Sequence, residues 1–376
     1  MDRTIAAMRV AFDVGAVKGQ PAGVGLYATA MANALAATLS TGSLVLIGRR
    51  PDAADLPPEV ESANRSARIP YPAWVELASA RDAQRMHADI VHYSDGIVPI
   101  VRHGRTVVAV HDMSIIRLWR SHPIRRWARI PLVLASPHLA DLVLVPSLAT
   151  ADEVIGFTRI PASRIEIVPY APQGDMQPAE AGTVAEATAR YGLRPQRYVL
   201  VLGTIEPRKN HLRVIAAFER LAQMQRISED VRLVLAGRAG WGASRVLAAV
   251  EASPVHDRID RLGYVPASDV SALMTGAGAV AYVSLYEGFG LPVIEAMACG
   301  APTVTSAVSS MREVAGDAGL LVDPLDTDDI ARGLQEALDA GAADRTVIAA
   351  RARARAAEYT WARTAASVRE SYVSLT

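Results

Sequence analysis

The stretch Ser284–Gly300, SLYEGFGLPVIEAMACG, reads as the end of a strand, a glycine-bracketed loop and a short helix. The residues just before it, 280–283 (VAYV), are apolar and rich in β-branched side chains, as in a parallel strand covered on both faces. Gly288 and Gly290 allow a tight turn and a close approach of the backbone to a ligand. Such a loop gathers free N–H groups at the positive end of the helix dipole, so the stretch predicts an anion-binding site.

Two carboxylates frame this stretch with the spacing Glu-x7-Glu. Glu287 falls in the loop and Glu295 in the first turns of the helix, so both can face one ligand. The plain alternative is an ordinary strand–helix unit with incidental acidic residues. The string EGFGLPVIEAMACG, however, resembles the signature of the group 1 glycosyltransferases, the retaining, nucleotide-sugar-dependent branch with the GT-B fold.

This resemblance implies roles for individual residues. Glu287 would contact the donor sugar and Glu295 the ribose of the nucleotide. The donor site would also include the rest of the loop and the helix start, Gly288, Phe289, Gly290 and Leu291. It also implies an α/β fold of the GT-B class, two doubly wound Rossmann-like domains facing a cleft.

Composition limits the class of protein. At 376 residues the chain is too long for one ordinary core, and its 51% apolar residues can fill two. A formal net charge of zero argues against a nucleic-acid partner bound by bulk charge. The single cysteine, Cys299, excludes an internal disulfide, and its place at a helix end favours a buried structural thiol over a nucleophile.

No targeting or spanning segment is evident in the sequence. The N-terminal residues lack the long apolar core of a signal peptide, and no run of about 18 apolar residues indicates a membrane span. We therefore expect a cytoplasmic protein, at most docked on the inner face of the membrane.

The chain divides by pattern into segments. We expect an acceptor-side domain over 1–175, an interdomain connection over 176–195, a donor-binding domain over 196–355 and a C-terminal helix over 356–376. The connection is expected because its neighbourhood is rich in Pro, Gly and Gln and has one short helical run. In the family the last helix crosses back onto the first domain, which the Ala- and Arg-rich composition here permits.

The first strand is followed by a glycine-rich loop, 15–25 (GAVKGQPAGVG), and then by a helical pattern over 27–39. A doubly wound fold binds ligands at such a loop. The glycines do not follow G-x-G-x-x-G, which argues against a dinucleotide-dependent oxidoreductase. The resemblance implies that Gly23 and Gly25 approach the donor diphosphate and the acceptor; a flexible surface loop without a role is the alternative.

A strand over 106–110 (TVVAV) ends in His111-Asp112. A histidine at the C-terminal end of a parallel strand points to the ligand-binding edge of the sheet, although an isolated histidine there is more often structural. The family has an HD dipeptide in this place. The resemblance therefore implies that His111 lies near the donor sugar and acceptor hydroxyl, with Asp112 as a second candidate.

Residues 115–130 (IIRLWRSHPIRRWARI) interleave arginine with tryptophan and isoleucine. On an amphipathic surface this composition is typical of an interfacial membrane contact, which would suit a lipid-linked acceptor. A helix pair with a solvated basic face and buried tryptophans explains it equally well. Stacking on single-stranded nucleic acid is a third alternative, which we do not expect.

The second domain opens with a strand over 198–202 and the loop 203–210 (GTIEPRKN). Arg208 and Lys209 suit a diphosphate, because arginine can hold two oxygens at once while lysine acts as a point charge. Solvated surface cations are the alternative. The string EPRKN resembles the donor-phosphate element of the family, and Gly203 belongs to the same loop.

Two further segments bear on the donor site. RLGYV, with Tyr264 and Val265, resembles the family segment whose backbone meets the nucleotide base. Residues 326–329 (DTDD) contain Asp-x-Asp, a metal-binding spacing in the other major glycosyltransferase fold. The plainer account is a helix start capped by Asp326 with acidic residues in its first turn. We expect no metal and no cofactor.

The implied reaction moves a hexose from a nucleotide diphosphate to a hydroxyl of a glycan or lipid-linked acceptor with retention. Arg208 and Lys209 would stabilise the leaving diphosphate. EPRKN together with SLYEGFGLP most resembles mannosyltransferases of bacterial surface-polysaccharide assembly, so we favour GDP-mannose as donor, with UDP-sugars as the alternative. A retaining glycosidase, a nucleotide-sugar epimerase and a catalytically silent nucleotide-sugar-binding subunit are rivals that nucleotide binding and turnover would separate.

Overall fold

The computed structural model describes residues 8–17, 23–48, 55–63, 71–122, 124–174 and 176–376. They form two compact units. The first comprises the described residues up to Ala171 together with Tyr359–Thr376, and the second comprises Pro172–Glu358.

The described strands of the first unit form one parallel sheet. They are β1 Val10–Asp13, β2 Leu44–Ile47, β3 Glu61–Ser62, β4 Ile90–Tyr93, β5 Arg105–Ala109, β6 Leu142–Val145 and β7 Ile165–Ile167. Their order in space is β3-β2-β1-β4-β5-β6-β7, so the winding reverses between β1 and β4. Val10 of β1 pairs with Leu44 on one side and Ile90 on the other. Strands β1, β2, β4 and β6 are buried throughout, as the apolar runs in the sequence predict.

Helices cover the sheet of the first unit. In chain order they are α1 Val24–Thr38, α2 Tyr71–Arg85, α3 Ser114–Arg117, α4 Ile124–Trp127, α5 Ile130–Leu139 and α6 Leu148–Thr158. Large apolar side chains fill the space between these layers, among them Phe12, Met31 and Trp74, each less than 2% exposed.

The second unit repeats this architecture. Its described strands are β8 Tyr198–Leu202, β9 Arg232–Ala236, β10 Ile259–Gly263, β11 Ala279–Tyr282, β12 Thr303–Ser306 and β13 Leu320–Val322. Their order is β10-β9-β8-β11-β12-β13, with the reversal between β8 and β11. Its helices are α7 Ala181–Arg190, α8 His211–Gln223, α9 Ala243–Ala252, α10 Ala267–Gly276, α11 Leu291–Ala298, α12 Ser309–Ala315, α13 Thr327–Asp339 and α14 Ala342–Ala356.

The structure differs from the expected connection over 176–195. These residues belong to the second unit, and α7 within them packs against α10. The side chain of Arg190 donates to both carboxylate oxygens of Asp269 at 2.8 Å, and the Tyr191 hydroxyl donates to the same carboxylate at 2.7 Å. Because α7 has partners of its own, it forms part of the domain.

The last helix, α15 Trp361–Ser374, belongs to the first unit and packs against α1. Its Tyr372 hydroxyl lies 2.6 Å from Nδ1 of the buried His92 on β4. The chain therefore enters the second unit after Ala171 and returns to the first before Tyr359. Among the described residues, no helix combines the length and apolar character needed to cross a bilayer.

Candidate functional site

The two stretches that the sequence singled out in the second unit follow β8 and β11, on either side of the winding reversal. In doubly wound sheets, ligands bind outside the carboxyl ends of the strands at such a reversal. The loop that follows β8 also approaches another turn closely. A Cβ at Gly237, after β9, would lie 1.9 Å from the carbonyl oxygen of Gly203. This contact requires glycine at residue 237.

Arg208, Lys209 and Glu287 form one buried charge cluster. Nη1 of Arg208 donates to Oε2 of Glu287 at 2.5 Å, and Nζ of Lys209 donates to Oε1 at 2.7 Å. The hydroxyl of Tyr282, at the end of β11, also donates to Oε1 at 3.0 Å. The side chains of Arg208, Lys209 and Glu287 are 17%, 12% and 9% exposed. The alternative of solvated surface cations is therefore excluded.

The charges in this cluster determine the state of Glu287. Burial alone would raise the pKa of its carboxyl, but Lys209 and Arg208 outweigh burial and lower the pKa to about 2. Arg208 also donates through Nη2 to Glu206 at 2.8 Å, so two carboxylates balance the two cations. At neutral pH, Glu287 is an ionised hydrogen-bond acceptor.

The loop after Glu287 runs into α11 as predicted. Gly290 caps the helix with φ at +98°, a left-handed conformation that favours glycine. Leu291 and Pro292 then begin the helix, whose N–H groups and dipole favour negative charge near Gly290. The helix ends at Ala298, and Gly300 follows with φ at +72°.

Glu295 lies in α11 in a different environment. Its carboxyl is buried, and Oε1 accepts the backbone N–H of Gln173 at 3.4 Å. Burial raises the pKa of Glu295 to about 7. The two glutamates therefore differ in electrostatic character: Glu287 is held as an anion by two cations, whereas Glu295 sits close to the point of protonation at neutral pH.

The remaining predicted donor-side residues divide between core and surface. Val265 and Phe289 are buried, whereas Tyr264 is 55% exposed and lies under the guanidinium of Arg238 at 4.6 Å. The sequence analysis did not identify Arg238. It lies in a loop without a recognisable motif, and its contact with the Tyr264 ring depends on the fold. Glu206 in EPRKN and Tyr282 in the strand 280–283 stand in segments that the sequence analysis named, but their bonds to Arg208, Lys209 and Glu287 depend on the fold.

Two plain interpretations of the sequence are confirmed. Cys299 is a buried free thiol, whose pKa burial raises to about 11. Asp326 caps α13, accepting the backbone N–H groups of Asp328 at 2.8 Å and Asp329 at 3.3 Å. Within the part of the chain that the structure describes, no group of three or more His, Cys, Asp or Glu residues is arranged to hold a metal ion.

In the first unit, His111 follows β5 and is held at both ring nitrogens. Nε2 lies 2.6 Å from the carbonyl oxygen of Ser94, and Nδ1 lies 2.5 Å from the Tyr170 hydroxyl. A carbonyl oxygen can only accept, so Nε2 carries the proton and Nδ1 accepts from Tyr170. Burial lowers the pKa of His111. His111 is therefore a neutral imidazole in one tautomer.

A cavity of about 260 Å³ lies beside His111 in the same unit. Its lining includes the carboxylates of Asp95 and Asp112 and the guanidinium groups of Arg126 and Arg129. Nη2 of Arg129 donates to Asp95 at 3.0 Å. Its volume and balanced polar groups suit a small polar ligand.

The first loop differs from the expectation at its end. Helix α1 begins at Val24, so Gly25 lies buried in the first helical turn and not in the loop. Gly23 precedes the helix with φ at +54° and is exposed. Residues 18–22 of the loop lie outside the described residues.

The stretch 115–130 is broken into short helices. α3, a 3-10 turn over Trp119–Ser121 and α4 follow one another, with α5 beginning at Ile130. The rings of Trp119 and Trp127 meet edge to face with centroids 4.8 Å apart, and Trp127 Nε1 donates to the carbonyl of Trp119 at 2.9 Å. Arg117 pairs with Glu153 at 2.9 Å. Trp119 is 40% exposed, and the guanidinium of Arg120 lies 5.1 Å from its ring centroid.

Comparisons with known proteins agree with this architecture. The family model described as glycosyl transferases group 1 matches residues 186–355, and the model described as glycosyltransferase family 4 matches residues 21–171. In solved structures, Anabaena Alr3699/HepE in complex with UDP superposes with a TM-score of 0.75 at 17% identity, over 98% of this chain and all of that one. This likeness shows the shared fold.

Sequence relatives give the family. Escherichia coli O-antigen chain mannosyltransferase B is 35% identical over 280 residues, 74% of this chain and 73% of the relative. The Escherichia coli serotype-specific mannosyltransferase WbdA is 33% identical over 62% of this chain, which spans only 28% of that relative. On these grounds the chain belongs to the group 1 glycosyltransferases, with an α/β fold of the GT-B class.

Proposed function

We propose that the protein is a retaining mannosyltransferase that moves mannose from GDP-mannose to a hydroxyl of a glycan or lipid-linked acceptor in bacterial surface-polysaccharide or glycolipid synthesis. The observation that carries the proposal is the convergence of Arg208 and Lys209 on Glu287 at the winding reversal of the second unit. Mannose is favoured because two similar proteins are named as mannosyltransferases. The guanine base and retention rest on the resemblance of EPRKN and SLYEGFGLP to that branch of the family.

The cations and the start of α11 would bind the donor diphosphate. Arg208 and Lys209 are already balanced by Glu206 and Glu287, so the cluster itself carries no net positive charge. The N–H groups at the start of α11 supply further positive potential beside it. As the sugar departs, the diphosphate gains negative charge, which these groups stabilise.

The two glutamates take different parts. Glu287 is ionised and can accept hydrogen bonds from donor-sugar hydroxyls, which orients the sugar. Its two oxygens are held by Arg208 and Lys209, so we assign it no covalent role. Glu295 has a pKa of about 7 and can either donate to or accept from the ribose hydroxyls.

The cavity beside His111 would receive the acceptor. Its carboxylates and guanidinium groups match the hydroxyls of a sugar. We assign His111 no part in proton transfer, because both of its ring nitrogens are already hydrogen-bonded. It would line the reacting face.

A lipid-linked acceptor would bring the protein to a membrane surface. We propose that the exposed Trp119 and Arg120 make that contact. Co-sedimentation with vesicles containing anionic lipid should then fall in Trp119→Ala and not in Trp241→Ala, a tryptophan of the second unit. Equal binding of both variants would exclude this contact.

The experiment that tests the donor site is calorimetric titration with GDP, UDP and ADP. We expect GDP to bind, and Arg208→Ala to weaken binding roughly ten- to hundredfold through loss of charged hydrogen bonds. Arg332→Ala, which removes an arginine that pairs with both Asp329 and Glu336 on α13, is the control and should bind as the wild type does.

Transfer of mannose from GDP-mannose to a glycan mixture, followed by NMR of the new anomeric centre, then tests the reaction and its stereochemistry. Binding of UDP and not GDP would indicate that the donor is a UDP-sugar and not GDP-mannose. Failure of all three nucleotides to bind at millimolar concentration would contradict the proposed function.

A further inference from the structure

A row of hydroxyl groups from the end of β12 and the start of α12 holds the end of β11 and the loop that carries Glu287. Four of them donate to carbonyl oxygens between residues 282 and 287. The bonds run from Thr305 to Tyr282 at 2.8 Å, from Ser306 to Ser284 at 2.6 Å, and from Ser309 and Ser310 to Glu287 at 2.5 Å and 2.9 Å. Residues 305–310 thus hold the backbone from the end of β11 to Glu287.

The last two of these bonds meet at a single atom. A carbonyl oxygen has two lone pairs. On the backbone carbonyl of Glu287, both accept hydrogen bonds from serine hydroxyls. Ser310 is fully buried and Ser309 partly buried, so water competes little for either bond. This fixes the plane of the peptide that links Glu287 to Gly288.

The backbone at Ser309 is in an unfavourable conformation. Its φ is +56°, in the left-handed region that non-glycine residues rarely adopt. Such a conformation persists only where the surroundings hold it, and a glycine would adopt it more readily. A serine at this position therefore needs a reason other than the turn, and the bond from its hydroxyl to Glu287 supplies one.

We propose that Ser309 and Ser310 are positioning residues that hold the Glu287 backbone so that its carboxylate stays aligned with the donor sugar. This inference rests on the proposed function for the role of Glu287 in donor binding. The side chain of Glu287 is held by Arg208 and Lys209 from one side, and its carbonyl is held by the two serines from the other. With both ends fixed, the carboxylate keeps its orientation when a diphosphate competes for the cations.

Ser309→Gly is the decisive variant, because it removes the hydroxyl while relaxing the backbone. We expect its melting temperature to equal or exceed that of the wild type, its kcat to fall roughly 10- to 100-fold, and its affinity for the nucleotide to change less than threefold. A purely structural serine would predict an unchanged kcat. Ser310→Ala should also lower kcat. The double variant, Ser309→Gly with Ser310→Ala, should lower kcat more than either single variant does.

Hydrogen exchange tests, without any substrate, whether Ser309 and Ser310 hold the Glu287 loop. Amides of residues 284–290 should exchange faster in Ser309→Gly than in the wild type. Thr303→Val is the control, because Thr303 is a buried hydroxyl residue whose bond goes to Ala301 of its own segment, and it should leave both readouts unchanged. Unchanged exchange in Ser309→Gly would show that the serine hydroxyl does not hold the Glu287 loop, and this result would count even if the wild type transferred no sugar. Faster exchange together with a wild-type kcat would show that Ser309 holds the loop but has no role in the reaction.

Discussion

The guanidinium of Arg208 donates to the carboxylate of Glu287 across 2.5 Å, although 79 residues separate them in the chain. Each comes from a loop at the reversal between β8 and β11. The pair joins the EPRKN string to the glutamate of the glycine loop, so the charge of Arg208 lowers the pKa of Glu287. Because both side chains are largely buried, changes to either should be measurable as changes in stability and in binding.

Glu287→Gln should destabilise the protein in a pH-dependent way. The pKa of Glu287 falls from 4.5 to about 2 on folding, so its ionisation stabilises the fold above pH 4.5 by roughly 3 kcal/mol, and this is lost as the pH falls towards 2. Urea unfolding should therefore give a large difference between variant and wild type at pH 7 and a smaller one at pH 3.5. A difference independent of pH would contradict the ionised state of Glu287.

Glu295→Gln should behave in the opposite sense. The pKa of Glu295 rises from 4.5 to about 7 on folding, so the carboxyl stabilises the fold least above pH 7, where it must ionise while buried. The variant should be more stable than the wild type at pH 8, by up to about 3 kcal/mol, and nearly equal at pH 4.5. The same variant should bind nucleotide more weakly if Glu295 holds the ribose. Lower stability at pH 8 would show that Glu295 has a partner that compensates its charge.

The pKa of His111 should lie below that of a free histidine. Burial lowers its pKa, and both ring nitrogens are bonded. The NMR titration midpoint of the His111 imidazole should lie at lower pH than that of a free histidine, and its signals at pH 8 should be those of the neutral Nε2–H tautomer. Tyr170→Phe removes the donor to Nδ1 and should alter these signals, at a cost of about 1 kcal/mol in stability.

Tyr198→Phe is the control for this measurement. It removes a comparable buried hydroxyl bond, from Tyr198 to the carbonyl of Leu273 in the second unit. The His111 signals should not change in it. A midpoint at or above that of a free histidine would contradict the lowered pKa, and neutral-form signals of the Nδ1–H tautomer would contradict the assigned tautomer.

Gly237→Ala should disrupt the loop after β8. The added Cβ would meet the Gly203 carbonyl oxygen at 1.9 Å, so the two segments must separate, and we expect a loss of at least about 3 kcal/mol in stability with weaker nucleotide binding. Gly182→Ala, at an open position in α7, should instead gain up to about 1 kcal/mol. Thermal unfolding of both variants tests the contact, and equal stability of the two would disprove it.

Much of the fold could be predicted from local patterns. Apolar β-branched runs identify the buried parallel strands. In LPVIEAMACG the proline marks the start of α11 and the glycine marks its end. These signals depend on backbone geometry within a few residues. The cap at Asp326 and the buried Cys299 follow in the same way. The start of α1 was placed too late, because Gly25 reads as a loop residue although helix packing accommodates it.

The candidate site divides similarly between sequence and tertiary structure. The sequence by itself determined which residues are candidates for the site, since Arg208, Lys209, Glu287, Glu295 and His111 all stand in recognisable strings. Only the tertiary structure decided their states. Strand order brings Glu287 onto both cations, burial separates its pKa from that of Glu295, and the hydroxyls of Ser309 and Ser310 reach a carbonyl more than 20 residues earlier. Electrostatic shifts and hydrogen bonds depend on distance and burial, which residues remote in sequence acquire only when the sheet forms.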